Sequence, residues 1–169
     1  EASTDSASAY STCPATSGAT NWMSPAYSPD TGWFYIVAQE GCGINTKSRD
    51  TFRPGGNPFM GTGYIESPEE PWQMFVRALD LTTGKMMWEY KQINSRRYAA
   101  GLMATAGGLV FGADDQGFLT ALDAKTGKAL WSFNTGQQIA SQPITYEVGG
   151  KQYVAIVNGS NVVAFGLFE

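Results

Sequence analysis

"ALDLTTGKMMW" (residues 78–88) and "ALDAKTGKALW" (residues 121–131) are two versions of one phrase. Ala, Leu, Asp, Thr, Gly, Lys and Trp recur at the same offsets, and the two starts lie 43 residues apart. A repeat of about 40–45 residues is the period of four-stranded propeller blades. Within each copy the Asp ends a strand and accepts hydrogen bonds from the turn that follows. Thr-Gly then makes the turn, because glycine adopts a backbone conformation that a Cβ disfavours. The strand restarts and ends on Trp88 or Trp131, each expected to be buried across the next blade. A buried indole removes about 150–250 Å² from water and needs a partner for its N–H. The phrase therefore reads as a device for fastening blade to blade, with no share in chemistry.

The rest of the chain agrees with an all-β reading. "WFYIVAQ" (residues 33–39) is aromatic and β-branched, the composition of a buried strand. Further strands are expected at 74–80, 86–90, 102–105, 109–113, 118–123, 129–133, 140–147, 152–157 and 162–167. The pieces between them, "TTGK", "AGG", "DDQG", "KTGK", "VGG" and "NGSN", carry turn chemistry. Residues 1–12 are mostly Ser, Thr, Ala and Asp and read as a loop or frayed end. Residues 43–71 hold Gly, Pro, Asn and charges with little apolar periodicity, and read as a long loop insertion within the first blade. A weaker third copy sits near the end, where Ala164 lies 43 residues beyond Ala121. Residues 1–169 thus form a partial β-propeller, two complete blades and part of a third. Closed propellers have about 4–8 blades, so the chain is expected to be a piece of something longer, covered by other blades. It carries no initiator Met and no signal peptide, in keeping with that expectation.

Composition excludes several classes. The formal net charge is −4, and the basic residues form no cluster larger than Arg96–Arg97, so nucleic acid is not an expected partner. No apolar run reaches the roughly 18 residues of a membrane span. The absence of histidine rules out a Ser-His-Asp triad and His-ligated zinc within these residues. Cys13 and Cys42 are too far apart for a redox CxxC motif. Bridged, they would close a loop worth ~3–4 kcal/mol in the chain-entropy model; unbridged, they would be two small buried hydrophobes. Spacing alone leaves both readings open.

The docking phrase resembles the tryptophan-docking motif of the eight-bladed quinoprotein alcohol dehydrogenases, which use pyrroloquinoline quinone (PQQ). Non-enzymatic propellers of outer-membrane assembly factors carry something similar. More specific are "CPATSGATNWMSPAYSPDTGWFY", "LMATAGGLVFGADDQGFLTALDAKTGKALW" and "PITYEVGGKQYVAIVNG", which are similar to that family in order and spacing. The resemblance covers about residues 13–167 and points to the C-terminal blades.

That resemblance implies a disulfide between Cys13 and Cys42 and a bacterial periplasmic location, an oxidising compartment that permits one. It implies that Asn21 and Trp22 contact the quinone, the amide and indole N–H donating to its oxygens. On the residues alone, Asn21 would cap a turn and Trp22 would be core. Gly159, Asn161 and Val162, around the "NGSN" turn, stand where relatives approach the cofactor through backbone, although a plain hairpin reads equally well. Tyr98 and Ala99 fall where relatives place a Trp near the substrate pocket. The family's metal ligands for Ca²⁺ or a lanthanide, its carboxylate base and its vicinal cysteines belong to N-terminal blades. No stretch here matches them, so no catalytic or metal residue is assigned.

Two functions follow as expectations. The first is the C-terminal segment of a PQQ-dependent alcohol dehydrogenase that oxidises small alcohols to aldehydes and passes electrons to a cytochrome. Alone, without the N-terminal remainder, the segment is expected to be inactive. The alternative is a non-enzymatic propeller scaffold of the cell envelope.

Overall fold

The computed structural model describes residues 9–47, 51–56, 62–70, 72–93 and 100–167. Among them there is no helix. In chain order the strands are β1 (Ala9–Thr12), β2 (Ala26–Ser28), β3 (Trp33–Glu40), β4 (Gly43–Lys47) and β5 (Thr62–Glu66). Then follow β6 (Gln73–Asp80), β7 (Met86–Lys91), β8 (Met103–Ala104), β9 (Leu109–Ala113) and β10 (Phe118–Asp123). The last four are β11 (Ala129–Asn134), β12 (Ile144–Val148), β13 (Lys151–Asn158) and β14 (Asn161–Gly166). Two compact units result: Glu1–Ala19 with Gln39–Trp72, and Thr20–Ala38 with Gln73–Glu169.

The larger unit is built from three sheets, two of four strands (β2-β3-β6-β7 and β8-β9-β10-β11) and one of three (β12-β13-β14). Expected strands and observed strands agree closely through the repeat. The main shift is at β12, expected from residue 140 and found from Ile144. Pro143 has no N–H to give a ladder, and Ile139 makes only an isolated bridge to Asn158.

Identical side-chain bonds close the two copies of the motif. Asp80 Oδ1 accepts from the Thr82 and Thr83 amides at 2.9 and 2.8 Å and from Thr83 Oγ1 at 2.9 Å. Asp123 Oδ1 accepts from the Lys125 and Thr126 amides at 3.0 and 2.8 Å and from Thr126 Oγ1 at 2.9 Å. Both hairpins also shift register at the same place, after Ala78 paired with Trp88 and after Ala121 paired with Trp131.

Apolar faces of successive sheets meet in two clusters. Tyr35, Val37, Met74 and Val76 of the first sheet pack with Leu102, Val110 and Leu122 of the second sheet and its lead-in. Leu119 of the second packs with Ile139 and Ile156 of the third and its lead-in. Each such aliphatic side chain, fully removed from water, contributes about 1.5–3 kcal/mol. Trp88 is buried within the first cluster and donates Nε1–H to the Ala124 carbonyl at 2.9 Å. Its ring lies over Gly127, where a Cβ would come within 2.5 Å of the indole.

Trp131 corrects the expectation of two equivalent buried tryptophans. It is 41% exposed and meets Phe165 edge-on at 5.4 Å and Phe133 in a stack at 6.3 Å. Trp88 docks on Gly127 and bonds Ala124, whereas the partners of Trp131 are the rings of Phe133 and Phe165. The two sheets make the same strand, and the difference lies in what each ring meets across it.

The smaller unit corrects the loop readings of its two segments. β1 lies in the stretch expected to be a frayed end, and β4 and β5 lie in the stretch 43–71 expected to be a loop. Together they form an antiparallel sheet in the order β1-β4-β5. The physical reason is that ladder bonds are made by backbone, which polar residues supply as well as apolar ones. β3 and β6 are neighbours in one sheet although residues 41–72 separate them in the chain. Cys13 and Cys42 form a disulfide, with Cα atoms 4.5 Å apart, joining the chain just after β1 to the chain just before β4.

Candidate functional site

Hydrogen bonds sew one end of the larger unit's three sheets together. Gln92, after β7, donates Nε2–H to the Ala113 carbonyl at 3.2 Å. Ala113 ends β9 and opens the Asp114–Gly117 turn. On the other side of that turn, Thr135 donates its amide and its hydroxyl to the Gly117 carbonyl at 2.8 and 3.0 Å. Asn158, at the end of β13, donates Nδ2–H to the Thr135 carbonyl at 3.1 Å. Ser141 and Val157 exchange two further bonds. The chain entering β2 joins the same rim, because the Leu102 amide bonds Ser24 at 2.8 Å and the Ala100 amide bonds Ala113 at 3.2 Å.

The candidate cofactor residues all lie on this rim, away from the motif turns. Asn21 and Trp22 precede Ser24 and are exposed, Trp22 by 54%. That exposure removes the core reading of Trp22; the buried side chain there is Met23. Asn21 Oδ1 accepts the Trp22 amide at 2.8 Å, so the side chain is oriented by its own backbone neighbour. Gly159 has φ +56° in the tight turn between β13 and β14, where Asn158 pairs with Asn161. A Cβ on Gly159 would run into the side-chain oxygen of Gln137. Asn161 is exposed and Val162 is 76% exposed. Tyr98 and Ala99 lie outside the described residues.

Several buried polar groups on this rim went unmarked in the sequence reading. Asp114 and Asp115 are both buried, as are Gln92 and Asn158. Burial pushes the Asp114 carboxyl above the ordinary carboxylate range, aided by the charge of Asp115 and opposed by the amides of the turn. Among the described residues, Asp115 Oδ2, Gln92 Oε1 and Asn158 Oδ1 are buried without a hydrogen-bond partner. The doubled acid in "DDQG" was the available signal. It read as turn chemistry because an exposed turn and a buried one are spelled alike.

Among the described residues, one group of three Cys, His, Asp or Glu ligand atoms lies within 4.8 Å: Cys13, Cys42 and Glu70. Its two sulfurs are bonded to each other and so are not thiolate ligands. No catalytic base or metal ligand is assigned from it.

Residues 92–154 match the family model "PQQ: Glucose/ethanol/alcohol dehydrogenase, beta-propeller domain". The chain is 37% identical over 147 residues to quinoprotein alcohol dehydrogenase PedH of Pseudomonas putida, a stretch of 86% of this chain and 24% of that protein. It is 35% identical over 153 residues to the lanthanide-dependent methanol dehydrogenase of Methylorubrum extorquens, covering 87% of this chain and 24% of that protein. In fold it is similar to the crystal structure of quinohemoprotein alcohol dehydrogenase from Comamonas testosteroni, with TM-score 0.80 and 26% identity over 94% of this chain and 25% of that one. A europium-containing methanol dehydrogenase gives TM-score 0.78 and 30% identity over 89% of this chain and 27% of that one. The chain spans about a quarter of the length of these relatives. With three β-sheets in series, the docking motif and these matches over most of its length, the chain belongs to the quinoprotein alcohol dehydrogenase family.

Proposed function

We propose that this chain is the C-terminal segment of an exported, periplasmic PQQ-dependent alcohol dehydrogenase that oxidises small alcohols to aldehydes. The observation that carries the reading is the exposed polar rim of a chain that belongs to this family. Asn21 and Trp22 stand at one sheet of that rim and the 158–162 turn at another. The residues fit the group: PQQ is flat and anionic, and the rim offers an amide, an exposed indole and the backbone N–H groups of a glycine turn. When bound, PQQ takes up the hydride equivalent of the alcohol, and a cytochrome is the proposed acceptor of the electrons. This segment's part is to orient one face of the cofactor through Asn21, Trp22, Gly159, Asn161 and Val162. The Ca²⁺ or lanthanide and the catalytic base are proposed to be held by N-terminal blades, so the segment by itself is inactive.

The test is dye-linked alcohol oxidation by the full-length protein loaded with PQQ and either Ca²⁺ or a lanthanide. Turnover is expected there and absent from the 169-residue chain. Asn21→Ala should weaken PQQ binding, read by the absorbance of the bound quinone, while leaving the fold intact by circular dichroism. A loaded full-length protein that oxidises no alcohol would overturn the enzyme reading. Turnover by the isolated chain would overturn the assignment of the missing chemistry to other blades.

A further inference from the structure

We propose that Gln142 is a positioning residue for the cofactor surface, the link that holds its two halves at a fixed spacing. The proposal rests on the reading of Asn21, Trp22 and the 158–162 turn as cofactor contacts. These two groups belong to the first and third sheets, so their spacing depends on how the sheets are joined at the rim. The first joint is backbone to backbone: the Leu102 amide, just ahead of β8, donates to the Ser24 carbonyl at 2.8 Å. The two chain segments touch there, since a Cβ on Gly101 would lie 3.0 Å from the Ser24 amide nitrogen.

The second joint cannot be made the same way. Pro143 stands just ahead of β12, the place that Leu102 takes ahead of β8, and proline has no N–H to donate. Gln142 supplies the missing donor from its side chain, where Nε2 gives a hydrogen bond to the Leu102 carbonyl at 2.9 Å. A carbonyl only accepts, so the amide nitrogen and not the oxygen faces it. The neighbouring Ser141 reaches the third sheet. Its hydroxyl donates to the Val157 carbonyl at 3.1 Å and accepts from the Val157 amide at 2.8 Å, one residue before Asn158. A continuous path results, from Asn21 and Trp22 through Ser24, Leu102, Gln142 and Ser141 to Val157 and the 158–162 turn. Leu102 is fully buried, whereas Gln142 is exposed, so the Gln142 side chain serves the joint and not the core. Its loss leaves the apolar contacts between the sheets in place and frees the third sheet's lead-in to shift.

The experiment uses the full-length protein and PQQ, with binding read by the absorbance of the bound quinone and folding by thermal melting of the apoprotein. Gln142→Met, similar in length and without a donor, should weaken PQQ binding about three- to tenfold, the equivalent of one lost hydrogen bond, with the melting temperature nearly unchanged. Gln142→Lys, which restores a donor at similar reach, should recover most of the affinity. Ser141→Ala cuts the same path one link on and should weaken binding in the same way, which keeps the test decisive if Gln142→Met fails to fold. Combined with Asn21→Ala, Gln142→Met should cost less than it does alone, because a displaced surface already uses Asn21 less well. Thr105→Val removes a bond of the same kind, hydroxyl to the Leu109 amide at 3.2 Å, from the turn between β8 and β9 at the opposite end of the second sheet, and should leave PQQ binding unchanged. Full affinity in both Gln142→Met and Ser141→Ala, no recovery in Gln142→Lys, equal weakening in Thr105→Val, or additive losses in the double variant would each overturn the positioning role. If Asn21→Ala alone binds PQQ like the parent, the cofactor reading of Asn21 is wrong and this proposal falls with it.

Discussion

The indole N–H of Trp88 lies 2.9 Å from the carbonyl oxygen of Ala124, so the last strand of one sheet is bonded to the motif turn of the next. The two residues are 36 positions apart, and the bond is made inside an apolar cluster where an unpaired N–H would be costly. The motif thus carries both halves of the joint, the ring in one copy and its receptor in the following one.

From this asymmetry, Trp88→Ala should cost ~3–5 kcal/mol, the range for truncating a buried large aromatic. Trp131→Ala should cost clearly less, since that ring is 41% exposed. Urea unfolding of both variants measures the difference. Equal losses would show that Ala124 and Gly127 do not make the dock.

Gly84 and Gly127 occupy the same turn with φ +70° and +71°, so an alanine at either bears the left-handed strain of about 1–2 kcal/mol. Only at Gly127 would the new methyl meet Trp88; at Gly84 there is nothing within 4 Å. Gly127→Ala should therefore destabilise more and shift Trp fluorescence to the red, and Gly84→Ala should leave the emission unchanged. Indistinguishable spectra and melts would contradict the ring's position over Gly127.

Denatured without reductant, the protein should show no free thiol, because Cys13 and Cys42 are bridged. Replacing both by Ser should remove ~3–4 kcal/mol in the chain-entropy model for a loop of this length. Hydrogen exchange should locate the loss in β1, β4 and β5, with protection near Trp88 retained. A uniform loss of protection across both units would contradict that localisation.

The motif aspartates make a prediction about pH. The Thr83 amide and hydroxyl hold Asp80 below the ordinary carboxylate value of 3.8, and the Thr126 hydroxyl and amide do the same for Asp123. A depressed folded-state value means stability that is present above pH 3.8 and lost as pH falls through the folded value. Asp114, raised by burial, acts in the opposite sense: its contribution is present below pH 3.8 and lost as pH rises through its folded value. The double variant Asp80→Asn/Asp123→Asn should show a flatter acid limb in a plot of melting temperature against pH. An unaltered limb would mean the turn bonds do not discriminate the charged carboxylate.

Much of the fold was legible because its signals are local. A turn in which Asp80 or Asp123 bonds residues two and three positions on is written within one short phrase, and so is the strand pairing of β9 with β10 or β13 with β14. Asn21, Trp22 and the 158–162 turn were marked only by the family resemblance of the phrases around them, since local spelling fits a turn cap, a core residue and a plain hairpin equally well. Less legible were Ala9–Thr12, Gly43–Lys47 and Thr62–Glu66, which make a sheet from segments far apart in the chain. Their side chains carry little alternation, and the pairing is a property of backbone once a partner arrives.

By itself, then, the sequence determined the 43-residue period, the β-strands that repeat with it and the chemistry of the turns between them. Tertiary structure alone decided what each repeated residue faces. Trp88 is buried and Trp131 half-exposed although the same phrase produces both, because burial depends on which distant residues each ring meets. Asp114 and Asp115 are spelled as an ordinary turn, and only the folded structure shows that both are buried. Local propensity acts within a few residues, whereas burial and unpartnered oxygens arise only when distant strands are brought together.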